Sequence, residues 1–375
     1  MQNGSVKSIE EAKLSPGQRV LLRLDLNVPC KGGRVENDYR IRRSLPTLEY
    51  LEKCGCRTVI LSHLNPGSGE SLSPVYHYLK TRFSVSFAST LDSAHELSGS
   101  LQNGAFILVE DIRREKGEKE NDEGFSKRLT SLADVFVNDA FGVSHRKHSS
   151  IVGVPKFLPS FAGFLLQEEI QGLTPALHPP KGSLFVLGGA KFETKLPLLL
   201  KFLDRYERVF VGGALANDIF HAMGLEVGTS LVSTIAPNLS TIINRPNLRI
   251  PLDVLVQREG EEHALEPEKV KMSDRIVDAG LKTVMLLEQF VSESSFVLWN
   301  GPLGVYQEGF VVGTHQFAKA MIRSKAISVV GGGDTIAAIE DLGLMEKFGF
   351  ISTGGGAMLD FLANETLPGI EVLKK

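Results

Sequence analysis

The chain has 375 residues, 42% hydrophobic and 23% charged, enough apolar material for two or three globular cores and too much for a disordered chain. Lys and Arg number 41 against 44 Asp and Glu, a net charge of −3. That balance disfavours a globally basic nucleic-acid binder and confines any cationic site to a local patch.

The opening MQNGSVKSIEEAK carries neither an apolar signal segment nor an Arg/Ser-rich transit pattern. Short β-branched runs then recur at 20–26, 58–61, 84–87 (the weakest), 106–109 and 135–137. In the second half they fall at 184–187, 209–211, 250–256, 296–299, 327–330 and 350–352. They are apolar on both faces, as parallel strands covered by helices are. Amphipathic stretches such as 42–53 and 125–132 lie between them. The alternation predicts an α/β chain of two doubly wound domains, since these strand signals exceed one eight-stranded barrel. A helix near 164–170 followed by His178-Pro179-Pro180-Lys181-Gly182 predicts a hinge between them. The run 227–244 is charge-free, but its Ser, Thr, Asn and Pro exclude a bilayer span. Cys30, Cys54 and Cys56 give no disulfide framework and no C-x-x-C, so they read as reduced thiols of a cytoplasmic protein.

In the second half the strands end in glycines: Gly188-Gly189, Gly212-Gly213, Gly331-Gly332-Gly333 and Gly354-Gly355-Gly356. At the carboxyl edge of a parallel sheet such glycines let backbone N–H groups approach an anion, and a following helix N-terminus favours it. No Gly-Lys dipeptide and no G-x-G-x-x-G occurs, which excludes a Walker A loop and the standard dinucleotide fingerprint. Asp334, after the triple glycine, reads as a Mg²⁺ ligand or as a helix N-cap, two roles that can coexist, and Thr335 as a phosphate contact. Lys191 and Lys195 would share one helix face, where like charges repel unless an anion lies between them; a solvated surface is the other reading.

In the first half, basic residues stand after strands: Arg40, His63, Arg113 and Arg146, with Asp25 and Asn27 at the end of the first. If the strands are parallel these share one edge. Arg forks match carboxylate and phosphate, while Asp and Asn read hydroxyls, which describes a pocket for a small hydroxylated acid.

These motifs resemble the phosphoglycerate kinase family almost end to end. The resemblance rests on Arg23-Leu24-Asp25-Leu26-Asn27-Val28-Pro29, Ser62-His63-Leu64, Val137-Asn138-Asp139-Ala140-Phe141-Gly142 and His145-Arg146-Lys147-His148. It continues through Trp299-Asn300-Gly301-Pro302-Leu303-Gly304-Val305 and the glycine clusters. It implies two Rossmann-like domains joined by a hinge helix: 1–172 for phosphoglycerate, 173–363 for nucleotide, and a tail 364–375 that packs back on the first. It implies reversible in-line phosphoryl transfer between ATP/ADP and 3-phosphoglycerate/1,3-bisphosphoglycerate on hinge closure, in a monomer requiring Mg²⁺ but no nucleic acid or membrane. By resemblance Asp25, Asn27, Arg40, His63, Arg113 and Arg146 hold the acid. Lys195, Gly280, Asn300, Pro302, Gln307, Gly332, Gly333, Asp334 and Thr335 hold the nucleotide, with Asp334 on the metal. Arg40, Lys191, Lys195, Gly355 and Gly356 would stabilise the group in flight.

The chain departs from the family pattern in places. His63-Leu64-Asn65-Pro66-Gly67 stands where H-L-G-R-P is usual, so one basic residue of the ring is missing. Ala214 replaces the last of three glycines. Val305-Tyr306-Gln307 replaces V-F-E, so a ribose-binding carboxylate becomes an amide. Thr194 replaces an Asp, Met358 and Asp360 replace Ser and Glu, and the chain is trimmed near 235–250. Two further readings remain at this stage: a non-catalytic descendant that binds nucleotide or a partner protein, and a kinase for another small carboxylic acid.

Overall fold

The computed structural model describes residues 5–65, 71–233 and 239–374. The chain divides into two compact units, one of residues 1–171 with 366–375 and one of 172–365. The division falls within the helix Phe164–Leu177, close to the boundaries 172 and 363 read from the sequence.

The first unit is built on a six-stranded parallel sheet in the order Val85–Ala88, Phe106–Val109, Arg57–Leu61, Arg19–Arg23, Val135–Asn138, Ser160–Ala162. Phe106–Val109 and Val135–Asn138 are buried at every residue, which is why their sequence shows no polar alternation. The helix Tyr39–Lys53 buries Ile41, Leu45, Leu48 and Leu51 at helical spacing. It starts three residues before the predicted 42–53, which puts Arg40 in its first turn. The last residues of the chain pack on this unit: Lys7 N donates to Leu373 O at 3.2 Å, Gly369 N to Ser144 O at 2.8 Å, and Asn138 Nδ2 to Gly369 O at 3.3 Å.

The second unit repeats the plan. Its parallel sheet runs Leu248–Arg249, Arg208–Val211, Ser183–Leu187, Phe296–Asn300, Ile327–Gly331, Phe350–Ile351. Trp299 is fully buried, packs edge-on against Phe317 at 4.9 Å and donates its indole N–H to Gly301 O at 2.8 Å.

The predicted strand 250–256 is not one strand. Leu248–Arg249 forms the sheet edge, and Val254–Arg258 belongs to an antiparallel sheet with Glu261–Leu265 and Arg275–Ala279. Pro251 has no N–H for a ladder. Asp253 instead spends its carboxylate on the amides of Lys282 and Thr283, at 3.1 and 2.8 Å. Ser160–Ala162, Glu261–Leu265 and Arg275–Ala279 are strands that apolar runs did not reveal.

Candidate functional site

In the first unit the carboxyl ends of the strands gather four side chains, to which the helix Tyr39–Lys53 adds Arg40. Asp25 and Asn27 follow Arg19–Arg23, His63 follows Arg57–Leu61, and Arg113 sits in the turn Ile112–Arg114 beyond Phe106–Val109. Arg40 Nη1 donates to Asn27 O at 2.9 Å and stands 3.5 Å from Asp25 Oδ2. His63 Nε2 is 3.9 Å from Asp25 Oδ1. Asn27 Oδ1 accepts from Asn65 N at 3.1 Å, and Asn65 Oδ1 accepts from Arg113 Nη1 at 2.6 Å. Arg113 Nε is buried with no hydrogen-bond partner among the described residues. Burial lowers the Arg113 pKa, and the nearby Arg146 charge adds to that. Burial alone would raise the Asp25 pKa, but the Arg40 and Arg23 guanidiniums and the Asn27 amide keep the carboxyl below its ordinary value. The result is a concentration of cationic groups around one carboxylate, suited to an anion larger than water. Pro66 and Gly67 lie outside the described residues.

In the second unit four helices start where strands end: Phe192–Leu203, Ala214–Ala222, Gly333–Asp341 and Gly356–Asn364. None has a side-chain cap, whereas Thr90 and Asp122 cap helices of the first unit. Uncapped first turns leave backbone donors for an anion. A Cβ on Gly333, Gly355 or Gly356 would meet nothing within 4 Å, so these backbones face open space. Gly213, by contrast, has φ +59° and a Cβ there would come within 2.6 Å of Gly189 N, a close approach only glycine allows.

A cavity of about 390 Å³ opens beside these turns. Gly189, Ala214, Phe220, Val254 and Pro302 give it apolar walls, and Gln307 and Asp334 stand among its polar groups. Gln307 Nε2 donates to Asp334 Oδ1 at 3.3 Å. Lys195 is buried and donates Nζ–H to Gly188 O at 2.7 Å. Burial, with Lys191 adding and Asp334 opposing, lowers its pKa to about 8.

Lys191 does not share a helix face with Lys195. It precedes the helix Phe192–Leu203 in left-handed conformation, φ 66° and ψ 68°, and its carbonyl accepts from Thr194 Oγ1 at 2.9 Å. Asp334 is not an N-cap either: Gly332 holds that position, and Asp334 lies in the first turn. Its carboxylate is therefore free of capping. Among the described residues no group of three acidic, His or Cys side chains could cage a metal. A single carboxylate does fit a Mg²⁺ that arrives on phosphates and keeps most of its water.

The family model described as Phosphoglycerate kinase matches residues 9–365. The chain belongs to the phosphoglycerate kinase family. A phosphoglycerate kinase of Finegoldia magna is 38% identical over 380 residues, covering 95% of this chain and 96% of that protein. The solved phosphoglycerate kinase of Coxiella burnetii is similar at TM-score 0.83 and 34% identity over 99% of both chains. That of Pyrococcus horikoshii OT3 is similar at TM-score 0.85 and 29% identity over 98% of both.

Three residues expected at the nucleotide have other bonds in this phosphoglycerate kinase fold. Thr335 is fully buried and its hydroxyl oxygen accepts from Gly301 N at 2.9 Å. Gly280 does not line the cavity; its amide donates to Asp253 O at 3.0 Å, and a Cβ would sit 2.3 Å from the Asp253 carboxyl carbon. Asn300 Nδ2 turns to Met358 Sδ at 3.7 Å. Part of the trimmed region, 234–238, lies outside the described residues. Sequence reasoning passed over Arg275 and Asp278 at the cavity, and Arg23, Glu118 and Ser150 beneath the basic ring. Arg23 stood in a quoted motif, but Glu118 sits in the charged run Lys116–Glu120, where nothing separates it from solvated neighbours.

Proposed function

We propose that this chain catalyses reversible phosphoryl transfer between ATP and 3-phosphoglycerate, giving ADP and 1,3-bisphosphoglycerate, in glycolysis. The observation that carries the reading is that the family match runs through both units, so the acid ring and the uncapped glycine edge belong to one enzyme. In this reading Asp25, Asn27, Arg40, His63, Arg113 and Arg146 bind the acid. Lys195, Asn300, Pro302, Gln307, Gly332, Gly333 and Asp334 bind the nucleotide, with Gly280 and Thr335 shaping the backbone around it.

The acceptor is a carboxylate, already a nucleophile, so no general base is needed. Transfer passes through a state whose charge lies on the equatorial oxygens of the moving group. Arg40, Lys191, Lys195 and the N–H groups of Gly355 and Gly356 are assigned to that charge. Asp334 would hold Mg²⁺, which supplies charge neutralisation on the nucleotide phosphates when bound. In-line transfer requires acid and nucleotide to meet, so closure of the units is part of the proposal.

No helix among the described residues is long and apolar enough to cross a membrane, and Cys30, Cys54 and Cys56 are unpaired. A cytoplasmic monomer is part of the proposal as the family resemblance implies it. A coupled assay with ATP, Mg²⁺ and 3-phosphoglycerate tests the reading. Turnover at rates ordinary for a kinase is expected. Binding of ADP without turnover would favour the non-catalytic alternative, and turnover only with another carboxylic acid would change the substrate.

A further inference from the structure

Beneath the basic ring of the first unit runs a chain of buried polar groups that phosphoryl transfer does not itself require. Glu118 has no exposed surface. Its Oε1 accepts from Ser150 Oγ at 2.6 Å and its Oε2 from Ser150 N at 2.9 Å. Ser150 Oγ in turn accepts from Arg23 Nε at 2.8 Å. Arg23, also fully buried, donates Nη1–H to Leu24 O at 2.5 Å and turns Nη2 to His63 Nδ1 at 3.3 Å. A hydroxyl has one donor and two acceptor positions. Ser150 thus bridges a buried cation and a buried anion that would each be costly alone.

The contact at His63 has only one polarity. A guanidinium offers donors and no acceptor, so Nδ1 accepts through its lone pair and the ring proton sits on Nε2. Burial lowers the His63 pKa well below its ordinary value; Arg23, Arg113 and Arg40 reinforce this against Asp25. The ring is neutral at pH 7. Its Nε2–H faces Asp25 at 3.9 Å, beyond hydrogen-bond range, which leaves that donor to another acceptor. His148 Nδ1, 3.6 Å from Glu118 Oε1, leans on the same carboxylate. Burial would raise the Glu118 pKa, but His148, Arg23 and Ser150 outweigh it and hold the carboxylate ionised.

We propose that Glu118 is a positioning residue for the acid site: through Ser150 it anchors Arg23, and Arg23 fixes His63 as the tautomer that presents Nε2–H to an oxygen of the bound acid. This rests on the acid-site reading above. Glu118 touches no substrate. It acts by keeping one hydrogen bond of the site pre-formed.

Two variants of the full chain test it. Glu118→Gln keeps the volume and removes the charge. Ser150→Ala removes only the bridging oxygen and serves if Glu118→Gln does not fold. In ¹⁵N NMR of the ligand-free protein, wild-type His63 is expected with Nδ1 unprotonated and Nε2 protonated. Both variants are expected to mix the two tautomers. KM for 3-phosphoglycerate should rise roughly tenfold, with kcat and KM for ATP within about twofold of wild type. A wild-type His63 protonated on Nδ1 overturns the proposal. So does a variant that loses thermal stability while its tautomer and its KM for the acid stay unchanged. Arg113→Ala separates the two readings. If it raises KM for the acid and Ser150→Ala does not, the positioning role alone is wrong. If neither raises it, the acid-site reading falls and takes this proposal with it.

Discussion

Arg275 grips Glu308 through both ends of its guanidinium, Nη1 to Oε2 at 2.7 Å and Nη2 to Oε1 at 2.6 Å. The fork is bidentate, and Arg275 and Glu308 both line the cavity of the second unit. Glu308 is therefore committed to a neighbour and does not replace the carboxylate missing at Gln307.

That commitment decides what Gln307→Glu does. A carboxylate reading a ribose hydroxyl outweighs an amide by about 1 kcal/mol, roughly fivefold in affinity. It would also stand beside Asp334, now 3.3 Å from Gln307 Nε2, where like charges repel. Bound Mg²⁺ relieves that repulsion. Calorimetry should show ADP binding about fivefold tighter with Mg²⁺ and no tighter in chelator. Equal tightening in both conditions would separate position 307 from Asp334.

Lys195, assigned above to the nucleotide, is expected to set a pH limit on its binding. Its charged form would bind phosphate, and with a pKa of about 8 it loses that charge as pH rises, well below the ordinary lysine value near 10.4. ADP affinity should fall as pH climbs through about 8. In Lys195→Met the affinity should be weaker throughout and flat over the same range. A wild-type profile flat to pH 9.5 would remove Lys195 from the phosphates.

Lys191 is expected to act on turnover more than on binding. It sits outside the helix in a left-handed conformation, a strained state for a lysine. Lys191→Ala should lower kcat by about a hundredfold or more while ADP affinity changes less than about fivefold. Steady-state kinetics beside ADP titration reads this, and a kcat within a few-fold of wild type would refute the role.

Asp139 couples stability to pH in the first unit. Burial raises its pKa to about 7, against the amide of Leu166, which donates to Oδ1 at 3.0 Å; Oδ2 has no partner among the described residues. An unfolded aspartate ionises near 3.9. Between about pH 4 and pH 7 the folded state holds the extra proton, so this residue's contribution is present below that window and lost as pH rises through it. Asp139→Asn cannot ionise. Relative to wild type it should gain about 4 kcal/mol between pH 4 and pH 8, read by urea unfolding at both. A difference between the two proteins that does not change with pH would count against an ionising Asp139.

Much of this was legible in the sequence because it follows from local rules. Buried parallel strands announce themselves as unbroken apolar runs, and glycine clusters after them mark the backbone edge. Asp25, His63 and Arg113 were found because a parallel sheet brings the ends of distant strands to one side. What escaped depends on tertiary partners. Arg275–Ala279 is a half-exposed strand of mixed polarity, so no period betrays it. Glu118 looks like its lysine neighbours until Ser150 and Arg23 are seen beside it. Lys191 was given helical geometry because the chain around it is helical, and only the left-handed φ reveals otherwise.

Residues 366–375 belong to the same unit as residues 1–171, and this has a consequence for biosynthesis. The amino-terminal unit is the first to leave the ribosome but the last to be completed, because its closing segment is translated after the whole of the other unit. Through that interval Ser144 O and Asn138 Nδ2 wait for Gly369, which later supplies their partners. The carboxyl-terminal unit, formed by the single continuous stretch 172–365, needs no later segment to close it.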